Sequence, residues 1–491
     1  MTIEPQNFEG GPQLPCYGAF GRRLLPWVAW GLVILVLILR GVLPAVSTSE
    51  PSEAQEAQES ALVDVVMKLQ GRMMLAVKQL SEMQKTPMPQ DEILALEMGS
   101  VEQRQQVAVL AGVLFGAQGA SDSLQRLQEA VAEADHSLTQ EQEKTNAAIK
   151  EAFSELKSVD EKDDEPAAST LSDTQRELLL KQLGWFGELA IARTQPGEQA
   201  TWSAFQQKAM TLLIILMGAF VGIAILGLLG MAGLLVGLIL SIRGRLSSLK
   251  ASGAPGLFIE TFAVWLVSFL VLSEVIGLLG LGLGGSIIVF FLSLVALAWL
   301  PFRGMPFSTA RSEIGLTMGR GLFREVGSGV AGFVMMIPIL LVGVIFTVFL
   351  VKLSQLFNSP SEVFHSDAGA AHPIFSMFEQ ASTIQLVVVF VVASIAAPIV
   401  EEIVFRGLLY RHLRDSSRGV RTWLSIAFAA LLSGFVFAAI HPQGWVAIPA
   451  LGSIGVALAL AREWRSSLIA PIVMHGIQNG LVLTFVLFLI D

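Results

Sequence analysis

Runs of about 20 consecutive apolar residues recur along this chain. A helix of that length satisfies its own backbone hydrogen bonds and reaches across the hydrocarbon core of a bilayer. About nine such runs are present, at 24–46, 210–242, 257–281, 287–302, 329–350, 384–408, 423–440, 445–460 and 467–490. Of 491 residues, 53% are hydrophobic and only 15% charged, too few charges to clothe a water-soluble fold of this size. The expected fold is therefore all-α, a polytopic membrane bundle of about nine transmembrane helices in contact with the lipid bilayer.

Charge is distributed unevenly. The net charge of -9 comes from acids crowded between about residues 50 and 200, while the rest is apolar or locally basic, which argues against nucleic acid as a partner. Cys16 is the only cysteine, so an intrachain disulfide and a thiolate-rich metal site are both excluded. Arg22 and Arg23 precede the first run without a convincing cleavage site, so it reads as an uncleaved anchor. Basic residues then mark every second loop: Arg243, Arg245 and Lys250; Arg303, Arg311, Arg320 and Arg324; Arg411, Arg414, Arg418 and Arg421; Arg462 and Arg465. Lys and Arg in short loops stay on the cytoplasmic side, so the amino terminus is expected inside and the acidic region outside, in a cell (plasma or inner) membrane.

The chain divides accordingly. A cytoplasmic tail (1–23) leads to an anchor helix (24–46) and an acidic, helical extracytoplasmic region (47–205). Further membrane helices (206–353), an extramembrane loop (354–382) and a final membrane core (383–491) follow. Within 47–205, Val63, Val66, Met67, Leu69, Met73, Met74, Val77 and Leu80 recur at helical spacing, predicting an antiparallel or coiled pair of helices. A second helical stretch is expected near 101–138, and the acidic run 160–166 reads as a solvated linker. This region carries no catalytic set and is expected to be a spacer or a module for a protein partner. Gly233 and Gly237 form a small-xxx-small pair suited to close helix packing, internal or between copies. Glu260 and Glu274 fall near the ends of their run, which makes a chemical role for them the weaker reading.

Chemistry concentrates in the last core. Ionisable side chains inside a bilayer are costly and by default functional, and three polar pairs occur there within eighty residues. Glu402 and Arg406 lie one helical turn apart in the favourable acid-before-base order, so Arg406 is expected to neutralise Glu402. Glu401 is rotated by about 100° from Glu402 and is left to meet water or substrate. Pro398 should kink the helix and open room beside the carboxylates. Phe437 with His441, and His475 with Asn479, are each four residues apart and share a face. Each pair alone could be a helix lock or a satisfied core donor. Three together multiply the desolvation cost with no return in packing.

Glu401-Glu402-x-x-x-Arg406-Gly407, then Phe437-x-x-x-His441, then His475-x-x-x-Asn479, in this order, resemble the signature of the CAAX protease and bacteriocin-processing (CPBP, or Abi) intramembrane proteases, which include the Ras-converting CAAX endopeptidases. The resemblance covers about 384–479. The acidic region is not a general feature of that family. It implies intramembrane endopeptidase activity on membrane proteins or lipidated peptides. Glu401 would be general base on a water that His441 helps to hold, His475 and Asn479 would donate to the oxyanion, and Glu402, Arg406 and Phe437 would support them. No cofactor is needed in that scheme. The rival scheme makes Glu401, His441 and His475 ligands of a zinc ion. A non-catalytic scaffold or immunity-type protein on the same fold is the alternative function. A proton-coupled transporter is a third, weakened because no matching broken helices in two repeats are evident. One difficulty concerns depth. Glu401 lies ten residues from Arg411 but His441 lies twenty from Arg421, a mismatch of about 15 Å unless residues 421–425 run along the interface.

Overall fold

The computed structural model describes residues 24–46, 53–86, 88, 100–133, 137–156, 171–245, 249–250, 252, 254–355, 382–441 and 443–490. The expectations for the tail 1–23 with Cys16, Arg22 and Arg23, for the acidic run 160–166, and for 356–381 of the extramembrane loop lie outside them. Among the described residues every regular element is a helix. In chain order they are α1 (Leu25–Val46), α2 (Glu53–Gln84), α3 (Val101–Glu133), α4 (Gln140–Phe153), α5 (Asp173–Leu183), α6 (Trp185–Thr194), α7 (Gln199–Ile242), α8 (Pro255–Leu278) and α9 (Gly282–Ser293). After α9 the chain continues helically through Leu294–Ala298 and Trp299–Phe302. Then follow α10 (Phe307–Ile314), α11 (Leu322–Gln355), the composite α12 (Thr383–Ser416), α13 (Thr422–Ala439), α14 (Ile448–Arg465) and α15 (Ile469–Ile490).

Nine helices among the described residues are long and apolar enough to cross a membrane. Eight of them are the expected runs from 210 onward, and α1 is a continuous 22-residue apolar helix at the expected anchor, Leu25–Val46. Val101–Glu133 also qualifies by composition. Val101–Glu133 is nevertheless built as a core helix. Two-thirds of its apolar window (67%) is buried by protein, against 11–44% for the other eight. Gly116 breaks it with φ 74°, leaving two pieces of about 22–26 Å, short of the roughly 30 Å of hydrocarbon.

The chain forms two compact units, one chiefly Glu53–Gly222 and the other chiefly Ile223–Leu353 with Ala370–Asp491. In the first, α2 to α6 and the start of α7 bury Leu75, Val107, Leu110, Leu114, Phe153, Phe186 and Leu189 in one core. This is a cluster of six helices where the spacing had predicted a pair. Thr139 with Gln142, and Ser172 with Gln175, form reciprocal caps that start α4 and α5. Gly184, at φ 49°, lets the chain turn between α5 and α6 where a side chain would be strained. The expected boundary at 205 falls inside α7. That helix of 44 residues is about 66 Å long, so it outreaches a bilayer, and Trp202, Phe205, Ala209 and Leu213 join the core of this unit.

In the second unit small residues set the helix spacing. A Cβ on Gly230 would stand 2.2 Å from the Val334 carbonyl oxygen and one on Gly233 would stand 2.9 Å from Met335, so the glycine stripe of α7 serves internal packing against α11. Gly434 of α13 and Gly455 of α14 meet backbone to backbone, the added Cβ of Gly455 falling 2.7 Å from the Gly434 Cα. Glu260 accepts hydrogen bonds from Trp299 (3.2 Å) and Arg303 (3.1 Å), a structural tie between α8 and the end of the following span.

The basic loop expected at 411–421 is corrected. Helix α12 continues through Arg411 and Arg414 to Ser416, and both arginines are buried. Arg411 pairs with Glu313 and Asp415, and Arg414 pairs with Glu463 of α14 at 3.2 Å while donating to Ser425 of α13 at 2.8 Å. Tyr410 donates to the same Glu463 at 2.8 Å. Arg462, also buried, donates to the carbonyl oxygens of Glu313 and Ile314, and Arg465 pairs with Glu325 at 2.7 Å. These cations hold helix ends together, and removing one partner would strand the other's charge away from water.

Candidate active site

The site begins with an irregularity in α12. Two stretches, Val392–Ala396 and Glu402–Leu409, widen to π geometry, with Pro398 in the short α-helical piece Ala397–Glu401 between them. Proline cannot donate to the carbonyl four residues back and crowds it, so widening just before Pro398 relieves a clash. In the widened turn the Ala397 N–H bonds to the Val392 carbonyl instead of that of Ala393. The Ala393 carbonyl is thereby released, and the Asn479 amide of α15 donates to it at 2.8 Å. Proline likewise leaves the Ser394 carbonyl without its helical donor. Gly476 packs against that oxygen so closely that a Cβ would fall 2.6 Å from it. The sequence had indicated a kink at Pro398. The structure shows a register change whose spare carbonyl fixes α15 beside the two glutamates.

Glu402 opens the second widened stretch and is completely buried, as is Arg406. Arg406 donates to Glu402 at 2.8 Å and to the Gly455 carbonyl of α14 at 3.2 Å. The Phe437 ring of α13 lies under the guanidinium, 4.7 Å away, and meets Phe405 edge-on at 5.1 Å. His475 of α15, buried, brings Nδ1 to 2.9 Å from the same Glu402 oxygen. Its Nε2 stands 3.6 Å from Oε2 of Glu401, whose side chain retains 16% exposure where Glu402 has none. Arg406, Glu402, His475 and Glu401 thus form one continuous polar chain across α12 and α15.

His441 lies just past the end of α13, its ring 4.4 Å from that of Phe437 and its Nδ1 bonded to the Phe437 carbonyl. It is within electrostatic reach of Glu401, His475 and Arg406. A carbonyl oxygen only accepts, so Nδ1 of His441 donates to Phe437. Nδ1 of His475 is engaged by the Glu402 oxygen that Arg406 also reaches, which leaves Nε2 of that ring turned toward Glu401. One amide hydrogen of Asn479 is committed to the Ala393 carbonyl, which leaves the other for a further acceptor. Glu401, His441 and His475 do not form a three-ligand set of metal-binding geometry, and no three His, Cys, Asp or Glu side chains do so among the described residues.

The depth mismatch narrows from about 15 Å to about 6 Å. Because α12 runs on to Ser416, Glu401 lies about 22 Å from its end, and His441 lies about 28 Å from the start of α13 at Thr422. Burial of Arg411 and Arg414, invisible to a rule that assigns cations to loops, accounts for the part that closes. Sequence reasoning also missed the carbonyls of Ala393 and Gly455. Pro398 with Gly476 was the available signal for the first, and the Gly434–Gly455 approach has no local signature.

Residues 383–481 match the family described as type II CAAX prenyl endopeptidase Rce1-like. The chain is also 35% identical over 92 residues to the membrane-embedded CAAX protease MroQ of Staphylococcus aureus (strain USA300). That alignment takes in 19% of this chain and 36% of MroQ, so the chain spans about a third of that relative's length. No solved structure matches. The apolar helices and these similarities make the chain an integral membrane protein.

Proposed function

We propose that this chain, whose residues 383–481 form a CPBP-family domain, is an intramembrane endopeptidase acting on membrane-associated or lipid-tethered proteins. The observation that carries the reading is the division of labour between adjacent carboxylates. Glu402 is consumed by Arg406 and His475, while Glu401 faces His475 Nε2 across 3.6 Å with part of its side chain accessible.

In this scheme a water donates one hydrogen to Glu401 and the other to an imidazole Nε2. Its lone pair is then directed at the scissile carbonyl carbon. As the C–O bond forms, the proton passes to Glu401. Glu401 returns it to the amine as the C–N bond breaks, leaving a carboxylic acid and an amine from one peptide bond and one water. The amide hydrogen of Asn479 not used by Ala393 is the donor left for the tetrahedral oxygen. His475 joins it only when protonated. Arg406, Glu402 and the Gly455 carbonyl hold His475 in place. In the bilayer the amino terminus is cytoplasmic and the unit around α2 to α6 is outside, where it serves a protein partner.

The test compares native membranes carrying wild-type protein with membranes carrying Glu401→Ala, by sequencing newly formed protein termini. Membrane proteins with termini that appear only with wild type are the expected result. Identical terminus profiles at equal expression contradict the reading. Metal content of the purified protein and activity after chelation separate the schemes. Stoichiometric zinc required for cleavage would replace the glutamate scheme by the metal one.

A further inference from the structure

The connection between the span ending at Phe302 and α11 is a shelf between two helices apolar enough to cross a membrane. Its short helix α10 buries Ala310 and Ile314 inward and turns Phe307 and Arg311 outward, one turn apart. The inner face is fixed by α14 and the link that follows it. Arg462 donates to the carbonyls of Glu313 and Ile314, Ser467 Oγ donates to the Thr317 carbonyl, and the Leu468 N–H donates to that of Gly315. Ile314 sits on Gly407 of α12 so tightly that a Cβ there would fall 2.3 Å from it. The shelf is therefore held against the bundle, and both its ends join helices apolar enough to cross a membrane.

Its outer face is unusual for a protein surface. Phe302, Phe307, Met318 and Phe323 are largely exposed, Phe323 by 90%. Arg311, Arg320 and Arg324 are exposed among them. Aromatic rings that reach into the upper acyl region, interleaved with cations at the phosphate level, are the complement of an anionic phospholipid leaflet. We propose that residues 302–324 form a binding surface for anionic phospholipid headgroups, seated on the π-widened stretch of α12 through Ile314 and Gly407. The inference is independent of the proteolytic reading.

The test uses full-length protein in nanodiscs of phosphatidylcholine containing a minor fraction of spin-labelled phosphatidylglycerol or spin-labelled phosphatidylcholine. The immobilised fraction of each label is measured for wild type and for the triple variant R311Q/R320Q/R324Q. The expected result is a several-fold preference for the glycerol headgroup in wild type that collapses toward equality in the variant, with high salt acting in the same direction. Equal immobilisation of both lipids by wild type overturns the proposal, as does an unchanged preference in the variant. A second measurement places a spin label at residue 307 in a Cys16→Ser, Phe307→Cys protein. Protection from a water-soluble nickel relaxant together with access to oxygen is expected, and full exposure to nickel contradicts the proposed depth.

Discussion

At the scale of single residues, burial decides which charges work and which hold. Glu402 and Arg406 are both withdrawn from water, and such a pair is stabilising only relative to half of itself. Arg406→Met should therefore lower stability by about 3–5 kcal/mol, and a Glu402→Leu/Arg406→Met double variant should recover much of that loss while remaining inactive. Thermal unfolding in detergent checks both, and a double variant no more stable than Arg406→Met would show that the stranded carboxylate is not the cause. In the other unit, Lys78 is buried on the Val113 carbonyl at 2.8 Å, and its pKa is lowered to about 8, chiefly by burial with a contribution from Arg193. Below pH 8 the amine is charged whether folded or unfolded, and the cost of burying that charge is fully present. Between about 8 and the ordinary 10.5 the unfolded chain holds more protons, so stability rises with pH across that window, by up to about 3 kcal/mol. Exchange protection of α3 amides, corrected for intrinsic rates, should climb from pH 8 to 10 in wild type and stay level in Lys78→Met.

At the scale of elements, the site depends on backbone that is not regular helix. Pro398 and the widened turns of α12 change which carbonyls are spare, and α15 is keyed to them through Asn479 and Gly476. Replacing Asn479 by Leu should release α15 from Ala393 and reduce turnover, whereas Asn479→Asp would set an acceptor against that carbonyl and should be worse. The α13–α14 contact is as exacting. Gly455→Val drives a side chain into the Gly434 backbone while its carbonyl holds Arg406. It should cost about 1–3 kcal/mol as overpacking and also weaken activity, since the acceptor that positions Arg406 must move. A Gly455→Val protein with wild-type melting temperature and wild-type turnover would contradict the assigned packing.

At the scale of the whole molecule, the apolar runs predicted an all-helical membrane chain because helices are what a bilayer tolerates, and the ordered motifs at Glu401–Arg406, Phe437–His441 and His475–Asn479 carried the family resemblance. What stayed hidden follows from tertiary structure. Nothing local distinguishes Arg411 and Arg414, buried against Glu313 and Glu463, from loop arginines, nor shows that Val101–Glu133 is covered by Phe153 and its neighbours. The two compact units share α7, whose Trp202, Phe205, Ala209 and Leu213 complete the first core. A fragment beginning at Glu53 and ending at 216 should melt cooperatively by circular dichroism, and one ending at 198 should not. The proposed role of Glu401, activating the water that cuts a peptide bond within the membrane, is measured most directly by cleavage of a quenched, lipid-tethered peptide by purified protein in proteoliposomes. Wild type should turn over, and Glu401→Gln, nearly isosteric and unable to take a proton, should lose at least about two orders of magnitude while melting at the same temperature. A correctly folded Glu401→Gln protein that cleaves as fast as wild type would contradict it.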